Sequence, residues 1–175
     1  AAHGGLQIIE MGPGNRYSVR PLIIPPDYLN MLEQHVLLGF TGVERFSAMF
    51  ATAQVQNIKK GESIDCLSEI QGIAKEALGL FMKNAYLDEI GKLMDHSWRM
   101  KKQLAQGVSN DAINDLYTTA KQAGAFGGKL LGAGGGGFIM FLAPPEKHDA
   151  IKQALSHMKV WVPFKIDATG SQVIF

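Results

Sequence analysis

Lys129-Leu130-Leu131-Gly132-Ala133-Gly134-Gly135-Gly136-Gly137-Phe138 is the stretch whose residue types suggest chemistry. Between Gly124 and Gly137, 8 of the 20 glycines fall within 14 residues. A glycine run lets the backbone take positive φ and approach a ligand closely. Its successive N–H groups can form a nest for an anion, and phosphate is the natural guest. Lys129 adds one positive charge beside the run. The competing reading is a connection without a ligand, which allows a helix to pack tightly on a sheet.

Two phosphate motifs are excluded. Gly132, Gly134 and Gly137 match G-x-G-x-x-G, but that fingerprint needs a helix to follow, and Phe138-Ile139-Met140-Phe141-Leu142 reads as a strand. A Walker A loop ending at Gly128-Lys129 would need glycine where Ala123 stands and Ser or Thr where Leu130 stands. A second candidate is Thr41-Gly42-Val43-Glu44-Arg45-Phe46-Ser47. It follows a strand and opens a helix, where N–H groups and Arg45 can hold an anion. Against this, Arg45 reads equally well as a surface residue and Thr41 as an N-cap. His35, His96, His148 and His157 have no metal-ligand spacing, and Cys66 has no His or Asp neighbour to activate it. Trp98 and Lys101, a helical step apart, read as core and as solvated surface.

The elements that position these residues follow from periodicity. Leu6 to Glu10 and Arg16 to Arg20 read as a hairpin around Gly12-Pro13-Gly14-Asn15. Pro25-Pro26-Asp27 opens a short helix, and Val36 to Phe40 is an apolar strand. Phe46, Met49, Phe50 and Ala53 share a helical face. Ser63 is the candidate N-cap of a helix whose inward stripe is Ile64, Leu67, Ile70, Ala74, Ala77, Leu78 and Phe81. Leu87, Ile90, Met94 and Trp98 mark the next helix. Ser109 or Asn110 caps another, with Ile113, Leu116, Tyr117 and Ala120 inward and Gly124 as its stop. Phe138 to Leu142 is a strand, and Pro144-Pro145 opens a last helix through Ile151 and Leu155. Val160 to Ile166 and Gln172 to Phe175 are the closing strands. Helices outnumber strands and stand in a block, so the class is α+β: a helical layer on a small, mostly antiparallel sheet.

Composition narrows the function. The chain has 175 residues, the size of one domain on a prior of about 100–200. It is 46% hydrophobic and 19% charged, as globular proteins are. Lys and Arg total 17 against 16 for Asp and Glu, so charge gives no reason to expect nucleic acid or an anionic membrane. The single cysteine, Cys66, excludes an intrachain disulfide and suits a reducing compartment. No apolar run approaches the ~20 residues that span a bilayer.

Residues 127–138 resemble the third motif of the GHMP kinases. Val108-Ser109-Asn110, Ile113-Asn114-Asp115-Leu116-Tyr117, Trp98 with Lys101-Lys102, Thr41-Gly42-x-x-Arg45-x-Ser47, and Pro163-Phe164 to Gly170-Ser171 extend the resemblance over nearly the whole chain. Within the family they are similar to the bacterial D-glycero-D-manno-heptose 7-phosphate kinases; fucose kinases carry a related C-terminal half. Leu131 departs from the pattern, since many members have Thr there.

The resemblance implies an ATP- and Mg²⁺-dependent cytoplasmic sugar kinase acting on the anomeric hydroxyl of that heptose phosphate, for surface polysaccharide. A fucose or other hexose kinase, or a phosphate-binding or assembly domain without chemistry, are the alternatives. Residues 1–24 are expected to be a remnant of the N-terminal kinase domain, and 25–175 the C-terminal domain. The family's first two motifs are not found here. Its catalytic Asp is expected just upstream of Ala1, so the chain is read as a C-terminal part without independent catalysis. Lys129 and Gly132, Ala133, Gly134, Gly135, Gly136 and Gly137 are the expected phosphate ligands. Gly4, Gly5, Thr41, Gly42, Arg45 and Ser47 are the expected substrate ligands. Mg²⁺ is expected to bind mainly outside this chain, and an exposed hairpin face is expected to favour a homodimer.

Overall fold

The computed structural model describes residues 3–42, 58, 63–104, 107–132 and 135–174. Arg45, Ser47, Ala133, Gly134 and the helical stripe from Phe46 to Ala53 lie outside the described residues. The hairpin is β1 (Gln7–Met11) and β2 (Tyr17–Pro21), paired antiparallel with Ile9 opposite Val19. α1 (Pro26–His35) begins with Pro26 in its first turn and leads directly into β3 (Val36–Phe40). α2 (Ile64–Met82), α3 (Leu87–Gln103) and α4 (Asp111–Gln122) follow. β4 (Gly127–Leu130) and β5 (Phe138–Leu142) come next. A 3₁₀ turn (Pro145–Lys147), α5 (His148–Ala154) and β6 (Val160–Val162) complete the described elements.

Four strands form one antiparallel sheet in the order β4-β5-β3-β6. Strand side chains alternate between faces, and the alternation separates two cores. On one face Leu37, Ile139 and Phe141 pack with Ile113, Leu116, Tyr117 and Ala120 of α4 and Ile151 of α5. On the other, Leu142 packs with Tyr28 and Leu32 of α1 and Leu87 and Ile90 of α3. α3 serves both, because its Trp98, 1% exposed, belongs to the first core. The core readings of Trp98 and of the α4 stripe hold. Asn110 Oδ1 accepts from the Ile113 N–H at 3.0 Å and caps α4.

Four expectations need correction. β4 is a strand inside the glycine segment, where residue type alone predicts none. Glycine has no side chain to favour a strand, but the site demands its absence. A Cβ on Gly127 would collide with Gly91 O of α3, and one on Gly128 would lie 2.5 Å from Met140 O. The helix and the edge strand touch backbone to backbone, and the pairing with β5 then makes the strand.

The second correction concerns α2. Of its described residues only Ile73, outside the expected stripe, is buried, while Ile64 is 63% exposed. Ser63 stands at the N-cap, but its side chain caps no N–H. Third, the strand from Val160 stops at Val162, where its pairing with β3 ends. Fourth, residues 172–174 form no strand; Val173 and Ile174 are exposed and pair with no neighbour. Residues 163–170 instead pass over α1: Glu33 accepts from the Ile166 N–H at 2.9 Å and pairs with Lys165.

The hairpin root joins this segment through Gly5 N–H to Asp167 O at 2.6 Å. Ile8 to Met11 lean over Gln71, Ala74, Lys75 and Leu78 of α2. The hairpin is thus tied at its base, while Met11, Tyr17 and Ile23 stay exposed.

Gly127→Ala should destabilise the chain by about 1–3 kcal/mol, the usual cost of overpacking. Urea unfolding measures it. Gly72→Ala, at a helical glycine with open space around it, should be neutral or mildly stabilising by helix propensity.

Candidate functional site

The glycine loop leaves β4 at Leu130 and enters β5 at Phe138. Its mouth is closed as a hairpin by Leu131 N–H to Phe138 O at 2.8 Å. Gly132, Gly135 and Gly137 take φ of 77°, 81° and 94°. This is the left-handed region where a side chain would be strained.

Three neighbours hold the loop. Thr41, just after β3, donates both its backbone N–H and its Oγ1 to Gly137 O, each at 2.9 Å. Gly135 N–H donates to the carbonyl of Val108, a fully buried residue before the α4 cap, at 3.0 Å. Lys101, in the last turn of α3, donates from Nζ to Gly132 O at 2.6 Å. The loop is therefore tied to β3, α3 and the start of α4 at once.

Lys101 is half-buried, not the solvated residue that its sequence position suggested. Burial, then the nearby charge of Lys129, pushes its pKa below the ordinary lysine range. Periodicity carried a signal for this. Lys101 follows Trp98 by three residues, so it lies on the same helical side as a buried anchor. Its neighbour Lys102 turns to Asn114 Oδ1 at 3.3 Å.

A second polar network positions β4. The Tyr117 hydroxyl donates to Asp95 Oδ1 at 2.8 Å and accepts from Gly128 N–H at 3.1 Å. Burial, the bond to Asp95 and its charge push the Tyr117 pKa well above the tyrosine range. Burial also opposes ionisation of Asp95. The hydrogen bonds from Tyr117 and Arg99 and the positive charges of Lys121 and Arg99 outweigh it, so its carboxyl is held below the usual range. Neither residue was singled out as functional from the sequence; only the inward placement of Tyr117 was.

The expected substrate residues divide. Thr41 and Gly42 lie at the loop end of β3. Gly4 and Gly5 do not: they line a mostly apolar cavity of about 430 Å³ with Leu32, Phe81, Met140 and Ile166. That cavity reaches Val36 and Leu142, at the opposite end of the β3–β5 pair. Four residues of strand, about 13 Å, separate the two ends. Gly4 is packed on the chain's own backbone, since a Cβ there would lie 2.6 Å from Ala168 O. Among the described residues, no three of His, Cys, Asp and Glu gather to hold a metal ion. Among the described residues, no helix is long and apolar enough to cross a membrane.

Residues 74–159 match the family model of the GHMP kinases' C-terminal domain. The chain is 31% identical over 159 residues to the D-glycero-alpha-D-manno-heptose 7-phosphate kinase of Campylobacter jejuni, covering 89% of this chain and 45% of that protein. It is 33% identical over 159 residues to the bifunctional fucokinase/GDP-fucose pyrophosphorylase of Arabidopsis thaliana, covering 86% of this chain and 15% of that one. The chain therefore spans less than half the length of either relative. The fold of L. major mevalonate kinase, solved with R-mevalonate, superposes with a TM-score of 0.72 at 21% identity, over 97% of this chain and 51% of that one.

Tyr117→Phe leaves the Gly128 N–H and Asp95 short of a partner and should cost about 1–3 kcal/mol in urea unfolding. A carboxyl whose folded pKa lies below its unfolded value of about 3.9 stabilises the fold above that pH. That contribution disappears as pH falls through the folded pKa. Asp95→Asn should therefore lower stability at pH 7 and flatten its loss as pH falls below about 4, read from urea melts down the acid range.

Proposed function

The chain carries the C-terminal domain of the GHMP kinases, and on that premise we propose that it is the C-terminal part of an ATP-dependent sugar kinase. The acceptor is the anomeric hydroxyl of D-glycero-D-manno-heptose 7-phosphate. The observation that carries this choice is the match to the heptose 7-phosphate kinase along 89% of the chain. A fucose kinase is the second reading, favoured by the match to the fucokinase-bearing enzyme.

Phosphoryl transfer rests on positioning and on neutralising charge at the phosphoryl oxygens. The glycine loop serves the first need. Its positive-φ glycines are fixed by Thr41, Val108 and Lys101 before any ligand arrives. Backbone N–H groups of the Gly132 to Gly137 run, apart from the Gly135 N–H that Val108 O holds, would meet the phosphates, and Lys129 would supply charge. Mg²⁺ would enter with the nucleotide and be held mainly by the part of the enzyme outside this chain. The group that orients the sugar hydroxyl is likewise outside this chain. Residues 1–24 belong to the N-terminal domain, whose sheet covers the exposed hairpin, and residues 25–175 form the C-terminal domain. The enzyme is cytoplasmic, and its product is a precursor of nucleotide-activated heptose.

ADP release tests the proposal, with Mg·ATP and the heptose 7-phosphate supplied. The protein from its complete reading frame should turn over; residues 1–175 alone should not. Turnover with fucose and none with the heptose phosphate would install the second reading. Silence with every sugar would overturn both.

A further inference from the structure

We propose that a pocket between α5, β6 and the Val36 end of β3 is a binding site for an aromatic carboxylate. The inference goes beyond the kinase reading and does not rest on it. The pocket begins with a break in the sheet. β6 pairs with β3 only from Leu38 to Phe40, and Pro163 follows it. Proline has no N–H with which to extend the ladder. Val36 is therefore paired with β5 on one side and has no strand partner on the other. The space left there is about 320 Å³, within the range of about 300–1,000 Å³ that small-ligand sites occupy. It lies at the end of β3 remote from Thr41, which ties the glycine loop.

Two of the walls are aromatic. Trp161 and Phe164 line the pocket and are half-buried. A glycine across the strand pair places the indole. Trp161 stands opposite Gly39, and a Cβ on Gly39 would lie 2.9 Å from the ring. The ring thus rests against bare backbone, and packing fixes its place.

The polar groups are chiefly donors. Lys152 and His148 lie one helical turn apart on α5, and both line the pocket. His148 Nε2 lies 3.2 Å from Ala143 O. A carbonyl only accepts, so this nitrogen carries the hydrogen, and the bond holds the ring as part of the wall. Lys152 is half-buried. Among the described residues, its ammonium group has no hydrogen-bond or ion-pair partner, and neither has the indole N–H of Trp161. No carboxylate is among the described residues that line the pocket. A half-buried ammonium without a counter-charge favours an anionic guest. Flat apolar walls favour an aromatic body. A carboxylate only accepts hydrogen bonds, so it suits both donors, and its bond to Lys152 is charge-assisted.

The test titrates the 175-residue chain with sodium benzoate and follows its two indole N–H signals by ¹H–¹⁵N NMR. W161F identifies the Trp161 signal by its loss. That signal should move to saturation, while the signal of Trp98, enclosed in the first core, stays in place. K152M should weaken benzoate binding by about tenfold or more, the scale of a charge-assisted hydrogen bond. K152R should retain most of the affinity because the charge remains. K159M should leave it unchanged, since Lys159 is exposed and held by Ser156 O. Benzamide keeps the ring without the charge, and acetate the charge without the ring; each should bind more weakly than benzoate. A Trp161 signal that ignores benzoate overturns the proposal. So does K152M binding as tightly as wild type, or benzamide or acetate binding as tightly as benzoate. Benzoate binding is read on the chain itself, so a failure of the kinase reading would leave this site standing.

Discussion

The backbone contact between Gly91 of α3 and Gly127 of β4 is the constraint from which the rest of the site follows. No side chain fits between them. Only at this separation can α3 contribute Ile90 to one core and Trp98 to the other. Only then does the end of α3 lie alongside the glycine loop, so that Lys101 can reach Gly132 O. The contact also brings Asp95, one helical turn beyond Gly91, to the Tyr117 hydroxyl that receives the Gly128 N–H. A bulkier pair of residues would move helix and strand apart and take the loop's supports with them.

Holding such a loop has an entropic cost, because glycine loses more freedom on ordering than any other residue. The structure offsets it locally. The hairpin closure at Leu131, the two Thr41 bonds to Gly137 and the Val108 bond to Gly135 each remove freedom at a different point. These anchors sit on elements with fully buried neighbours such as Val108, Leu130 and Ile139. The loop is pinned at these points.

Much of this was legible in the sequence, and the rest was hidden for physical reasons. α3 and α4 were legible because their apolar residues recur at three and four and Asn110 is a strong cap. The glycine loop was legible because few other sequences tolerate that backbone. β4 was not, since its strand character comes from neighbours and not from its own residues. The α2 helix was legible from its spacing, but periodicity does not show what covers a stripe: Phe81 packs on the second core while Ile64 stays exposed. Lys101 looked like solvent-facing charge because its partner, a backbone carbonyl, leaves no trace in residue type.

The charge balance around the loop separates its two ends. At the β4 end, Tyr117, Asp95 and Arg99 form a closed set in which the carboxylate is matched by donors and cations. That set stabilises the fold and has no need of a guest. At the loop end, the Lys101 ammonium is held by a carbonyl, Gly132 O at 2.6 Å, while burial and the charge of Lys129 lower its pKa. The two ends are thus held differently, one by matched charges and the other by backbone carbonyls.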